Sequence, residues 1–226
     1  MTDPTPYNPL DKKNLGASVA EALLGRKPKA LDGLHSFDGA GLYAIYYHGE
    51  SPVYERLSQA NGSGELVAPI YVGKAIPKGA RKGGVGVAGS TSKALFSRLS
   101  EHADSIRATP SLTLNHFSCR FLVVDDIWIP LGESLLIAKF TPIWNTLIDG
   151  FGNHDPGRGR YEGMRPRWDV LHPGRAWAEK CQPRKETAEQ IAREVQGYLE
   201  QAEPPKSTHF LVEQTRAQYK VKPGLA

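Results

Sequence analysis

Only two of the 226 residues are cysteine, Cys119 and Cys181, and no metal-binding spacing relates them. A disulfide framework is therefore excluded, and the pattern fits two unpaired thiols in a reducing cytoplasm. No apolar run approaches the ~20 residues that a membrane span needs. The N-terminal stretch, with Asp3, Pro4, Pro6 and Pro9, lacks the apolar core of a signal peptide. Internal repeats, low-complexity tracts and Pro/Ser-rich linkers that would split the chain are missing too. A strong excess of either charge is missing, with 28 Lys and Arg against 24 Asp and Glu. The formal net charge of +4 permits a nucleic-acid partner without demanding one, so the distribution of basic residues matters more than their total. What remains is an ordinary globular composition, 40% apolar and 23% charged, long enough for one large domain or a domain with appendages.

The most structured stretch runs from Gly41 to Gly73. Gly41-Leu42-Tyr43-Ala44-Ile45-Tyr46-Tyr47 and Pro69-Ile70-Tyr71-Val72-Gly73 each have the length and the β-branched and aromatic content of a strand. The polar connection His48–Val67 lets them return antiparallel as a long hairpin. Gly73 allows the chain to pass close to another backbone or a ligand as it leaves the sheet. Either tyrosine alone reads as half core and half rim.

Upstream, residues 1 to about 11 read as a loose arm, and Asn14–Leu24 reads as a short amphipathic helix with Leu15, Val19, Ala22 and Leu23 on one face. Downstream lies a basic, glycine-rich segment with Lys74, Lys78, Arg81 and Lys82. Its formal G-x-G-x-x-G match, Gly84, Gly86 and Gly89, is not a dinucleotide fingerprint, because it follows a loop and not a strand. It reads as a phosphate-backbone clamp or as a solvated loop. Ser90 and Thr91 are candidate N-caps for a helix over 92–108, whose buried stripe is Leu95, Leu99, Ala103 and Ile106. Arg98 and His102, four apart, project together along one edge of that stripe.

His116–Asp125 reads as a central strand and Leu131–Phe140 as a helix. Glu133 is expected in its first turn, where the helix dipole favours a carboxylate; the rival role is a metal ligand. Asn145, in the turn after this helix, is placed to aim its amide back toward Glu133. From Asp149 to Ala178 the cations are all arginine: Arg158, Arg160, Arg165, Arg167 and Arg175, interleaved with Tyr161, Trp168 and Trp177. The guanidinium fork suits phosphate and the guanine edge, so a nucleic-acid surface is one reading and a charge-balanced loop the other. Thr187–Gln190 is a capping-box pattern opening a helix with Ile191, Val195, Tyr198 and Leu199 on one face. A last apolar patch, His209–Val212, lies in the tail.

In chain order these features are G-x-Y, Y-x-G, Arg with His four later, Glu on a helix, then Asn. That order resembles the GIY-YIG nuclease family over Gly41–Asn145, nearly half the chain, with Leu42 and Val72 standing where the family has isoleucine. The resemblance implies an α+β fold, a small mixed or antiparallel sheet flanked by helices, and phosphodiester hydrolysis with a divalent metal. By position it makes Tyr43, Tyr71, Arg98, His102, Glu133 and Asn145 the catalytic set, with Glu133 the metal ligand. A single carboxylate suits one Mg²⁺ (or Mn²⁺) that keeps much of its hydration shell. Arg98 would stabilise the scissile phosphate. Tyr43, starting from a pKa of about 10, needs nearby positive charge to act as a base, whereas His102, near about 6.5, is the easier base. The expected arrangement has Tyr43 contacting the water and His102 accepting its proton, with Tyr71 and Asn145 orienting the phosphate and Glu133.

Basic insertions in a chain of this size resemble the type II restriction endonucleases of that family. They imply a homodimer cutting double-stranded DNA at a GC-rich palindrome of about six base pairs, and a cognate DNA methyltransferase as genetic partner. Lys74, Lys78, Arg81, Lys82, Arg158, Arg160, Arg165, Arg167 and Arg175 are the expected DNA contacts. The expected organisation is an N-terminal arm and helix over 1–36, a nuclease core over 37–148, and an Arg-rich segment, helix and tail over 149–226 packed on that core. A structure-selective repair nuclease and a non-catalytic DNA-binding module are the competing readings.

Overall fold

A computed structural model of the chain describes residues 8–62, 64–77, 92–157 and 161–201. Four antiparallel strands form one sheet: β1 (Lys29–Ala30), β2 (Gly41–Tyr47), β3 (Pro69–Ala75) and β4 (Phe117–Val123), in the order β1-β4-β2-β3. Strand β2 is buried along its whole length. This is why its sequence is continuously apolar, where a strand with one wet face would alternate. Leu42, Ala44 and Tyr46 face one apolar cluster, and Tyr43, Ile45 and Tyr47 face the other.

The first cluster is roofed by α1 (Lys12–Leu24) and α4 (Ile129–Phe140). Asp11 caps α1 by accepting from the Lys13 amide, and the buried face is Gly16, Ala20, Leu23 and Leu24. The expected face differs, since Ala22 is exposed. The reason is the tight approach of α4: a methyl at Gly16 would lie 3.3 Å from the Leu131 carbonyl, and one at Gly132 would lie 2.4 Å from Leu42 Cδ1. Small residues, not large ones, mark this helix–helix seam.

The second cluster is roofed by α3 (Ala94–Arg107), whose buried Leu95, Leu99, Ala103 and Ile106 are the expected stripe. It continues into α5 (Ile143–Thr146), α6 (Arg167–Leu171) and α7 (Ala188–Gln201), which add Trp144, Trp168, Ile191, Val195 and Leu199. Thr187 and Gln190 form the anticipated reciprocal cap of α7: Gln190 Oε1 accepts from the Thr187 amide at 2.8 Å, and Thr187 Oγ1 from the Gln190 amide at 3.3 Å. The connection between β2 and β3 holds α2 (Glu55–Asn61). The Asn61 amide donates to the Tyr47 and Ala68 carbonyls, and its oxygen accepts from the Val67 and Ala68 amides. One satisfied side chain thus ties the end of β2 to the start of β3. No helix among the described residues is long and apolar enough to cross a membrane.

Candidate active site

The site gathers around β3, the edge strand, and begins with two glycines. Gly41 lies so close to β4 that a Cβ there would sit 1.9 Å from the Leu122 carbonyl oxygen. Gly73 pairs directly opposite Tyr43, and a Cβ there would sit 2.3 Å from the Tyr43 phenol oxygen. The missing side chain of Gly73 is what lets the Tyr43 ring lie across the edge strand. Leu42 and Val72, the two departures from isoleucine, are fully buried on the opposite face, where any apolar side chain of similar size serves.

Tyr43 is fully buried, and its hydroxyl is 2.7 Å from His102 Nε2 on α3. Tyr71 stands beside both, with ring centroids 6.2 Å from Tyr43 and 5.2 Å from His102. Arg98, one turn before His102, donates to Glu101 at 3.0 Å and to the Gly152 carbonyl, and its Nη1 lies 2.6 Å from His154 Nε2. Four of the predicted residues therefore converge, with the Arg/His spacing on α3 placing both over the tyrosine pair.

Burial changes the proton chemistry expected of them. Enclosure pushes the Tyr43 phenol well above its usual range; Tyr71 adds to this and the Arg98 guanidinium opposes it. Tyr71 is raised for the same leading reason. His102 is driven well below the usual imidazole range by burial first, then by Arg98, His154 and Arg175. The expectation of an ordinary His102 is thus corrected: it is a neutral imidazole. Tyr43 is a protonated phenol despite the cation beside it.

Glu133 lies a full turn inside α4, which begins at Ile129 and has no acidic residue in its first turn. The helix-terminus role anticipated for it does not apply, because Pro130 and the preceding turn start the helix earlier than the apolar run suggested. Its side chain is 17% exposed, and Oε2 accepts a hydrogen bond from Lys74 Nζ at 2.6 Å. The carboxylate acts on both phenols, raising each. Among the described residues no group of three or more His, Cys, Asp or Glu could hold a metal ion. One half-buried carboxylate fits a hard cation that retains water and takes its other ligands from a substrate phosphate.

Asn145 points elsewhere than expected. Its amide oxygen accepts from the Val72 amide and its nitrogen donates to the Val72 carbonyl, both at 2.8 Å. It clamps the outer edge of β3 between Tyr71 and Gly73 and is not directed at Glu133.

The predicted DNA contacts fare differently. Lys74 is engaged with Glu133. Arg175 is corrected outright, being only 4% exposed, paired with Asp169 at 2.6 Å and lying over the rings of Trp168 and Trp177. Arg165 donates to the Ala178 and Glu179 carbonyls, and Arg167 pairs with Glu194. In each case the fork closes the fold's own polar groups. Lys78, Arg81, Lys82, Arg158 and Arg160, the candidate caps Ser90 and Thr91, and the tail patch lie outside the described residues.

Two further neighbours were not anticipated. Phe151 stacks on His102 with centroids 4.4 Å apart at 18°, and His154 meets Arg98. An aromatic residue between glycines in a loop has no periodicity to betray a wall of a site. No match was found among curated proteins. The family model described as the Eco29kI GIY-YIG domain matches residues 35–199. With most of the chain covered and both triplets, the Arg/His pair and the acid arranged around one edge strand, the protein belongs to the Eco29kI GIY-YIG family of restriction-type nucleases.

Proposed function

We propose that this nuclease is a type II restriction endonuclease hydrolysing double-stranded DNA at a short palindrome, with Tyr43 and His102 moving the proton of the attacking water. The observation that carries the chemistry is the buried 2.7 Å contact between the Tyr43 hydroxyl and His102 Nε2. A neutral His102 in its Nδ1–H tautomer accepts at Nε2, so the Tyr43 O–H donates to it, and the buried phenol oxygen keeps a lone pair for the water that arrives with the substrate. As that water attacks phosphorus, Tyr43 takes its proton and passes its own to His102. Tyr43 need not ionise beforehand, which suits a phenol held high; burial and Arg98 weaken His102 as the final acceptor, a cost that the negative phosphate bound at Arg98 offsets.

Arg98 binds the scissile phosphate and offsets its developing charge by exchanging the contact its Nη1 now makes to Glu101 for phosphate oxygens, with Nη2 held on the Gly152 carbonyl. Tyr71 orients that phosphate from the other side. Glu133 would hold one Mg²⁺ or Mn²⁺ ion, whose chemistry is charge neutralisation on the phosphate and help for the departing 3′ oxygen. Reading a palindrome requires two copies related by a two-fold axis, each cutting one strand. A cognate methyltransferase in the same prokaryotic cytoplasm would protect the host DNA.

Digestion of unmethylated phage DNA with Mg²⁺, and with chelator in its place, tests the reading. Discrete fragments dependent on Mg²⁺ are expected. Cutting of flaps or branches alone would identify a structure-selective nuclease, and binding without cleavage a DNA-binding module. Tyr43→Phe retains DNA binding and loses on the order of a hundredfold or more of the rate, the scale of positioned acid–base catalysis. Cleavage by that variant at near the normal rate removes Tyr43 from the proton path.

A further inference from the structure

Beyond the family's triplets lies a segment that reaches back over the catalytic pair. Gly150 to His154 leaves α5 and passes across α3. Phe151 is 1% exposed and lies flat on His102, and it also meets Tyr71 edge-on at 5.0 Å and Trp144 at 4.4 Å. The next carbonyl, that of Gly152, accepts from Arg98 Nη2. Gly152 fits only without a side chain, since a Cβ would stand 2.5 Å from the Tyr71 hydroxyl and 3.3 Å from Arg98 Nη2.

A single side chain fastens this segment. Arg175 Nη2 donates to the Gly150 carbonyl at 2.8 Å, and Nη1 donates to the Phe151 and Asn153 carbonyls, each at 3.2 Å. Its remaining donors form a fork with Asp169, at 2.7 and 2.6 Å. The guanidinium also lies over the rings of Trp168 and Trp177, at 4.6 and 4.7 Å. Three loop carbonyls and a carboxylate are thus satisfied by one buried guanidinium, which lysine's single ammonium does not reproduce.

Building on the nuclease reading above, we propose that Arg175 is a positioning residue for the hydrolytic site, acting through the Gly150–Asn153 segment to seat Phe151 on His102 and the Gly152 carbonyl on Arg98. The ring keeps water from the imidazole, so that its open Nε2 serves Tyr43 alone, and the carbonyl sets where the guanidinium meets phosphate. The charged and titratable groups facing His102 are Tyr43 from β2, Tyr71 from β3, Arg98 from its own helix, and His154 and Arg175 from this region.

The test compares Arg175→Lys, Arg175→Met and, with the ion pair left intact, Phe151→Leu. The His102 resonance is followed by NMR in ¹³C-histidine-labelled protein and assigned with His102→Asn. In the native protein burial and Arg98 hold His102 well below the usual imidazole range. Loss of the clamp admits water and moves its midpoint upward toward that range. Arg175→Lys keeps the positive charge, so an upward shift there reports the lost clamp and not the lost charge. In cleavage assays all three variants lose about ten- to a hundredfold in kcat with KM for DNA changed less than about threefold, and the acid limb of the pH profile moves upward. If Arg175→Met does not fold, Phe151→Leu carries the same readout. A folded Arg175→Lys or Phe151→Leu protein with a native His102 titration and native kcat overturns the proposal. Because the resonance needs no substrate, absence of cleavage by the native protein would count against the nuclease reading and leave the clamp to be judged by His102.

Discussion

At the scale of single residues, the site is set by side chains that are small or absent as much as by those that react. Gly73 gives up a Cβ so that the Tyr43 phenol can cross β3, and the next residue, Lys74, closes on Glu133 at 2.6 Å. In the free protein the ammonium therefore neutralises the carboxylate that a cation would need. Lys74→Met frees Oε2, and Mn²⁺ titrated without DNA, read by electron paramagnetic resonance, should bind about five- to tenfold more tightly, the scale of a partly exposed ion pair. Unchanged affinity would mean that ammonium and metal share the carboxylate without competing. The two tyrosines and the Arg98/His102 pair were legible as a site through the chain order they share with the GIY-YIG family; strand alternation and the four-residue helical step then explain why the fold brings them together. The Lys74–Glu133 contact was not, since it joins residues 59 apart on a strand and a helix whose relative pose is a tertiary property.

Among the elements, β3 is the one whose integrity the site needs and whose outer edge, among the described residues, pairs with no further strand. The polar groups of Val72 that face away from β2 are those an additional strand would take. Asn145 takes both instead, at 2.8 Å each. Asn145→Ala leaves that amide and carbonyl to water or unpaired, at a cost of about 1–3 kcal/mol. Hydrogen exchange at the Val72 amide should then quicken while exchange along β4 stays native, and cleavage falls because Tyr71 and Gly73 flank the loosened residue. Native protection at Val72 in the variant would show that Asn145 is not the clamp. The same element explains a misreading. Asn145 follows the Glu133 helix closely in sequence, which suggested a partnership, but the short α5 turns its amide to the strand. Glu133 itself was placed a turn too early because the apolar run was taken as the helix, whereas α4 starts at Ile129 with Pro130 in its first turn, where proline costs nothing.

For the whole molecule, the arginine-rich region that composition suggested as a binding surface is, where described, part of the body. Phe151, Trp168, Leu171, Ile191, Val195 and Leu199 join the same apolar cluster as Tyr43 and Leu95, and Arg165, Arg167 and Arg175 serve its polar groups. Composition alone cannot separate an arginine that meets phosphate from one that closes a loop, because both use the same planar fork. Burying so many aromatic residues also buries histidines, and this sets how the fold responds to acid. His172 lies 2.6 Å from the Tyr54 hydroxyl and 2.8 Å from Ser111 Oγ, and burial pushes its pKa down to about 3. His102 is lowered as well, by burial first. Both are neutral in the folded state, whereas in the unfolded chain they titrate near about 6.5. Below that pH the unfolded chain binds more protons, so stability falls as pH falls, by about 1.4 kcal/mol per pH unit for each such group. The contribution is complete above the unfolded value and is lost progressively until the folded value is reached. Thermal melts from about pH 7.5 to 4.5 should show the midpoint dropping steeply below about pH 6.5. His172→Asn lowers the midpoint at neutral pH, because the buried Tyr54 hydroxyl and Ser111 Oγ each lose a partner, yet it flattens the acid slope by about one proton. Parallel slopes for the variant and the native protein would place the acid sensitivity elsewhere.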